Sequence, residues 1–185
     1  GVPYFAMSLV HGMPLDRALA VGKAPGLRER AELVLAVAEA AAYAHARGII
    51  HRDLKPGNVF LDLEGRVRGM DFGLAKRMDD ATRLTATGQA MGTPAYMPPE
   101  QIRGEIARIG PASDVYSLGA ILYEAITGSP PFLGSSAAEV MAATLASDPV
   151  PPRKRDPRVP ADLETICVQA LQKDPQRRYC SAREM

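Results

Sequence analysis

At 185 residues, with 46% hydrophobic and 23% charged side chains, the chain has the size and composition of one globular domain with a substantial core. A formal charge of +1 gives no footing for nucleic acid or an anionic membrane surface as a partner. No apolar run reaches the ~18 residues of a membrane span, since even the Ala-rich run from Leu33 to Ala46 carries Glu39 and His45.

The opening residues, Gly1 to Met7, have neither the charged start nor the cleavage pattern of a signal peptide, and they read as a fold entered partway along. Tyr4 to Val10 is an apolar run suited to a buried strand, which His11-Gly12-Met13-Pro14 is unable to continue. A short helix is predicted from Leu15 to Val21. A longer one runs from about Leu27 to Arg47, with Val34, Val37, Ala38, Ala41 and His45 on one face and Gly48 as its stop. His45 there reads as a satisfied core residue of a scaffold helix.

The informative stretch is Ile50 to Gly73. Asp53 follows His51 and Arg52, and Lys55-Pro56-Gly57-Asn58 then interrupts any regular element. Val59, Phe60 and Leu61 predict a short strand, Asp62 to Gly65 a turn, and Val67 to Met70 a weaker returning strand that brings Asp71 back toward the loop. A carboxylate to take a hydroxyl proton, a lysine to neutralise phosphate charge, and an Asn/Asp pair to hold a hard cation by oxygen are what transfer of an ATP phosphate requires. Taken singly, each of these residues fits a polar turn; the set together points to chemistry.

Leu74 to Gln89 has loop composition, and a loop of that length inside a domain calls for a function. Ser113 to Ile126 reads as the most buried helix, with Ser113 as N-cap, Asp114 in the first turn and Thr127-Gly128 at its end. Ser136 to Ala146 opens on a capping-box pattern of Ser136 and Glu139. The proline- and arginine-rich stretch from Asp148 to Pro160 reads as a loop crossing the surface. Ala161 to Gln172 is predicted helical until Asp174-Pro175, and Ser181 to Met185 reads as the opening of one more helix. Cys167 and Cys180 lack metal-ligand or CxxC spacing and read as free thiols in a reducing compartment.

His51-Arg52-Asp53-Leu54-Lys55-Pro56-Gly57-Asn58 followed by Asp71-Phe72-Gly73 resembles the catalytic loop and metal-binding motif of protein kinases. Asn58 five residues after Asp53, Gly92-Thr93-Pro94, Glu100 and the run Asp114 to Gly119 extend the resemblance over essentially the whole chain. It implies Asp53 as the catalytic base and Lys55 beside the transferred phosphoryl group, with proline next to that lysine as in serine/threonine kinases. Asn58 and Asp71 would hold magnesium or manganese. The nucleotide pocket would use the gatekeeper Met7, the backbones of Ser8 and Val10, Leu15 and Phe60.

The resemblance further implies that Arg52 receives a phosphate on the activation segment, with Thr85 and Thr87 as its phosphorylated threonines. Thr93 would hydrogen-bond Asp53 and Lys55. His51 and Phe72 would belong to an aligned internal column, Asp114 would brace the catalytic loop, and Arg178 would pair with Glu100, where Pro98 stands in place of the family's usual alanine. The expected fold is mainly α, of the α+β type: a large lobe with short hairpins around the catalytic loop.

The glycine-rich loop, strand lysine and partner glutamate of the small lobe are not in the sequence, so residues 1–185 are expected to be a partial kinase domain, hinge plus large lobe, inactive alone. ATP, a protein substrate bearing Ser or Thr, and a second kinase copy phosphorylating in trans are the implied partners. The implied location is the cytoplasm, free or as the inner part of a membrane-anchored kinase of bacterial type. A noncatalytic, pseudokinase-like interaction module on the same frame is the alternative, although it has no chemical need for Asp53, Lys55, Asn58 and Asp71 together.

Overall fold

The computed structural model describes residues 11–20, 26–64, 66–70 and 94–185. In chain order it contains β1 (Gly12–Pro14), α1 (Leu15–Ala20), α2 (Leu27–His45), β2 (Val59–Asp62), β3 (Val67–Met70), α3 (Pro99–Ile102), α4 (Pro111–Thr127), α5 (Ala137–Ala146), α6 (Pro152–Arg155) and α7 (Ala161–Ala170). The strand expected over 4–10 and the long loop expected over 74–89 lie outside the described residues.

The three strands form one antiparallel sheet in the order β1-β2-β3. β1 corrects the expectation that residues 11–14 only terminate a strand, because Gly12, Met13 and Pro14 pair with Asp62, Leu61 and Phe60. A Cβ on Gly12 would lie 1.8 Å from the Leu61 carbonyl oxygen, so glycine is what lets the two backbones close. Among the described residues β1 is an edge strand, and Pro14 is tolerated because it ends that strand. In β2, Val59 and Leu61 point into the core while Phe60 and Asp62 are only partly covered. The turn to β3 is tied by the Asp62 carboxylate, which accepts from the N–H groups of Glu64 and Arg66 at 3.0 and 2.8 Å and from the Arg66 and Arg68 guanidinium groups.

α2 buries Val34, Val37, Ala38, Ala41 and Ala44, the stripe its spacing calls for. It ends in a Schellman arrangement: Gly48 takes a φ of +73°, the Ile49 N–H reaches the Ala44 carbonyl at 3.1 Å, and the Gly48 N–H reaches that of His45 at 2.9 Å. The positive φ is available to glycine at little cost, and the reversal aims the chain directly at His51.

α4 is the axis of the molecule. Every residue from Ser113 to Ile126 except Glu124 is buried, and α2 and α7 pack against it. Its N-terminus differs from the expectation: Pro111 opens the helix, Gly110 is the N-cap, and Ser113 sits inside, where its hydroxyl accepts the Gly110 N–H at 3.2 Å. Proline's fixed φ suits the first helical position, which moves the start ahead of Ser113. Gly128 closes the helix at a φ of +81°. Gly119 allows α7 to approach: a Cβ there would lie 2.7 Å from Ala170 Cβ, and the buried Cys167 thiol contacts the Gly119 carbonyl at 3.5 Å.

Three further differences are local. The crossing over 148–160 contains the helical turn α6, again begun by a proline, and the Tyr123 hydroxyl pins it to α4 by donating to the Val150 carbonyl at 2.8 Å. At the start of α5 the Ser136 hydroxyl accepts from the Glu139 N–H, but the Glu139 carboxylate turns to Ser135 instead of completing the reciprocal box. Residues 181–185 form turns and not a helix, being too few to repay helix nucleation. Cys167 and Cys180 are both free, the first buried and the second exposed. Among the described residues no helix is long and apolar enough to cross a membrane.

The close contact at Gly119 has a direct test. Gly119→Val is expected to lower stability by about 1–3 kcal/mol through overpacking against α7, measured by urea denaturation; an unchanged midpoint would show that the helices have room to separate.

Candidate active site

The loop from His51 to Asn58 is held from beneath by one side chain. Asp114, 1% exposed at the start of α4, accepts from the His51 N–H at 2.8 Å and from the Arg52 N–H at 2.9 Å. His45 Nε2, at the end of α2, lies 2.8 Å from the same carboxylate. A buried anion requires donors on all sides, and here the donors are the backbone of the loop itself. Arg52 takes a φ of +66°, a left-handed conformation costing a non-glycine residue about 1–3 kcal/mol. The Asp114 bonds lie next to that strain and keep the N–H side of the loop turned inward.

Held in this way, the loop presents Asp53, Lys55 and Asn58 together. Lys55 Nζ is 3.2 Å from Asp53 Oδ2, and Asn58 Nδ2 donates to the same oxygen at 3.1 Å and to the Asp53 carbonyl at 2.9 Å. The Pro56–Asn58 turn makes this possible, since the Asn58 N–H bonds the Lys55 carbonyl at 3.0 Å and folds the amide back over Asp53. Asp53 and Lys55 keep 21% and 24% side-chain exposure, enough to meet a substrate while staying partly desolvated. They line a small cleft with Arg52, Leu54, Tyr96, Met97, Gln101 and Ser117.

Because its Nδ2 is committed to Asp53, the Asn58 amide has its carbonyl oxygen as the ligand end, which suits a hard divalent cation. Among the described residues no cluster of three His, Cys, Asp or Glu makes a self-contained metal cage. Magnesium does not require one, because it is held by one or two protein oxygens together with substrate phosphates and water.

The far wall of the cleft is bolted down by a buried ion pair. Arg178 and Glu100, both with 0% side-chain exposure, meet in a two-pronged contact of 2.8 Å and 2.8 Å. Arg178 spends its other N–H groups on the carbonyls of Gln172, Ala112 and Lys173, and Glu100 also accepts from the Ser113 hydroxyl at 2.7 Å. Burial pushes the Glu100 carboxyl up, and Arg178 with Ser113 outweighs that, leaving it below the usual carboxylate range. Residues 94–96 are fixed to α4 as well: the Ser117 hydroxyl donates to the Tyr96 carbonyl at 2.9 Å, and the Tyr96 hydroxyl donates to Glu124 at 2.6 Å.

Among the other residues singled out in the sequence, His51 is buried beneath the loop. Leu15 is 0% exposed within the main core and offers no surface of its own to a ligand; Phe60 keeps a partly open face on β2. Met7, Ser8, Val10, Asp71, Phe72, Thr85, Thr87 and Thr93 lie outside the described residues. Sequence reasoning passed over His45, Ser113 and Gln101 as site-supporting residues. The signals were thin: a histidine six positions before His51 on an inward face, and a serine one position before Asp114.

With this geometry in view, the comparisons are decisive. A family model described as protein kinase domain matches residues 2–185. The chain belongs to the protein kinase family. It is 39% identical over 184 residues to "Serine/threonine-protein kinase PknB" of Mycobacterium leprae, covering 100% of this chain and 29% of that protein. It is 40% identical to "Probable serine/threonine-protein kinase PknB" of Bifidobacterium longum, covering 99% of this chain and 26% of that protein. A kinase from Streptomyces coelicolor is 39% identical over 185 residues, covering 100% of this chain and 27% of its own length. The chain thus spans less than a third of these kinases.

The kinase frame has a measurable dependence on its buried pair. Arg178→Met, which leaves Glu100 buried without its cation, is expected to cost about 3–5 kcal/mol, and adding Glu100→Met to recover most of it. Thermal melts of the two variants measure this, with equal losses refuting it. Since the Glu100 carboxyl is depressed in the fold, its contribution is complete above the ordinary carboxylate range and fades as pH falls through the lower folded value.

Proposed function

We propose that this chain carries the catalytic part of a serine/threonine protein kinase, which transfers the γ-phosphate of ATP to Ser or Thr hydroxyls of protein substrates. The observation that carries the reading is the Asp53 carboxylate, partly exposed in a cleft, with Lys55 and Asn58 both bonded to its Oδ2. Kinase homologues along the whole chain support it.

In this reading Asp53 orients the substrate hydroxyl and takes its proton, while Lys55 lies where charge develops on the transferring group. Asn58, through its carbonyl oxygen, and Asp71 are the residues that would hold magnesium or manganese. When bound, the ion would supply neutralisation of phosphate charge. Met7, Ser8, Val10 and Phe60, backed by Leu15, belong to the nucleotide side. His51 and Phe72 would be members of the internal column that must align for activity. Arg52 receives phosphate carried on Thr85 or Thr87, placed there by a second kinase copy, and Thr93 tunes Asp53 and Lys55.

Residues 1–185 supply the hinge and the large lobe, and nucleotide grip requires small-lobe elements besides. The working location is the cytoplasmic side of a bacterial cell, free or membrane-anchored.

With the full-length natural protein, magnesium, labelled ATP and a general Ser/Thr protein substrate, Asp53→Asn is expected to lower transfer about 10²- to 10⁴-fold. The isolated 185-residue chain should show negligible transfer. Activity indifferent to Asp53→Asn would instead favour a noncatalytic interaction module. Phosphosite mapping after the same incubation should find phosphate on Thr85 or Thr87, and its absence from both would remove the regulatory assignment.

A further inference from the structure

We infer that Gln101 is a positioning residue for Asp53, a role that rests on the kinase reading and extends it. Gln101 lies on α3 and its Nε2 donates to the Arg52 carbonyl at 3.1 Å, across 49 residues of sequence. That carbonyl belongs to the peptide joining Arg52 to Asp53, so its direction sets the start of the Asp53 side chain. The N–H of the same peptide reaches His51 Nδ1 at 3.3 Å. Preceding it, the N–H groups of His51 and Arg52 are held by Asp114.

Arg52 is the sole described non-glycine residue with a positive φ, +66°, and its torsions sit between two restraints of different origin. Asp114 holds the N–H side from α4; Gln101 holds the carbonyl side from α3. Rotation about the Arg52 Cα–C bond would swing the carbonyl and with it the Asp53 carboxylate, which has to lie within hydrogen-bond reach of a substrate hydroxyl. Left-handed backbone at a non-glycine residue persists where surrounding contacts over-determine it, and Gln101 supplies one of them.

The placement of Gln101 is itself secured. Glu100, its neighbour on α3, is locked by Arg178 and Ser113, so α3 is a rigid base from which a partly exposed side chain reaches the loop. The buried pair therefore has a path to the chemistry: Arg178 to Glu100 along the core, Gln101 to Arg52 along the cleft wall. Gln101 lines the same cleft as Asp53 and Lys55 without bonding to either, which separates its role from theirs.

The test uses the full-length protein and three variants. Gln101→Met keeps the side-chain length and removes the donor, Gln101→Glu puts an acceptor against the Arg52 carbonyl, and Gln101→Lys restores a donor. Loss of one such bond beside a strained residue is expected to lower kcat roughly 5- to 30-fold in the Met and Glu variants. KM for ATP should stay within about twofold and the melting temperature near the parent's, because the bond is at the surface of the cleft. Gln101→Lys should recover a large part of kcat.

Parent-like kcat in both Met and Glu variants, or a loss confined to KM for ATP, would overturn the inference. A drop in kcat that tracks a drop in melting temperature and is not relieved by lysine would also overturn it, assigning Gln101 a merely structural role. Failure of the underlying reading is separately visible: the parent would then transfer no phosphate, or would do so regardless of Asp53→Asn.

Discussion

One carboxylate holds this structure to its purpose. Asp114 is an acidic side chain almost wholly removed from water, a state that persists only when the charge is surrounded by donors. Those donors are two successive N–H groups of the loop from His51 to Asn58 and an imidazole from the end of α2. The charge thus converts the rigidity of α4 into the shape of a loop that has no regular secondary structure of its own. Without such an anchor, Arg52 at a positive φ would relax toward ordinary backbone torsions, and the carboxylate after it would lose its aim.

The remaining organisation follows from α4 being buried on nearly all sides. α2 and α7 cover it, Gly119 permits the approach of α7, and α4 presents polar side chains toward the cleft: Asp114 to the loop, Ser113 to Glu100, Ser117 to the Tyr96 carbonyl and Glu124 to the Tyr96 hydroxyl. Burial pushes the Glu124 carboxyl above its ordinary range, as a site shielded from water should. One helix therefore supplies both the core and the hydrogen-bonding rail along which the segments lining the cleft are aligned. Glu100 and Arg178 fix α3 to that rail from the opposite end of the chain.

Much of this was legible in the sequence, for reasons that can be named. The inward stripe of α2, the largely apolar α4 and the β2–β3 hairpin follow from periodicity and turn residues, which local physics governs. The meeting of Asp53, Lys55 and Asn58 was legible from their close spacing across Pro56-Gly57, where the chain turns back on itself. What escaped were contacts that depend on tertiary placement. β1 exists because Gly12 admits the Leu61 carbonyl, a fact about the partner strand. Ser113 has the residue type of an N-cap, but Pro111 takes the first helical position and moves the cap to Gly110. His45 looked like scaffold, since nothing local shows that its ring ends 2.8 Å from a carboxylate 69 residues away. Gln101 carried no signal at all, its bond being to a backbone carbonyl.

The central claim is that Asp114 dictates the loop conformation. Hydrogen exchange at the His51 and Arg52 amides, in parent and Asp114→Ala proteins, tests it most directly, with the amides of Leu118 and Ile121 in α4 as an internal reference. Removing the acceptor should speed exchange at the two loop amides at least about tenfold, equivalent to ~1.4 kcal/mol or more of local opening, relative to that reference. Unchanged protection at His51 and Arg52 would contradict the account, because the loop would then hold its shape without the carboxylate.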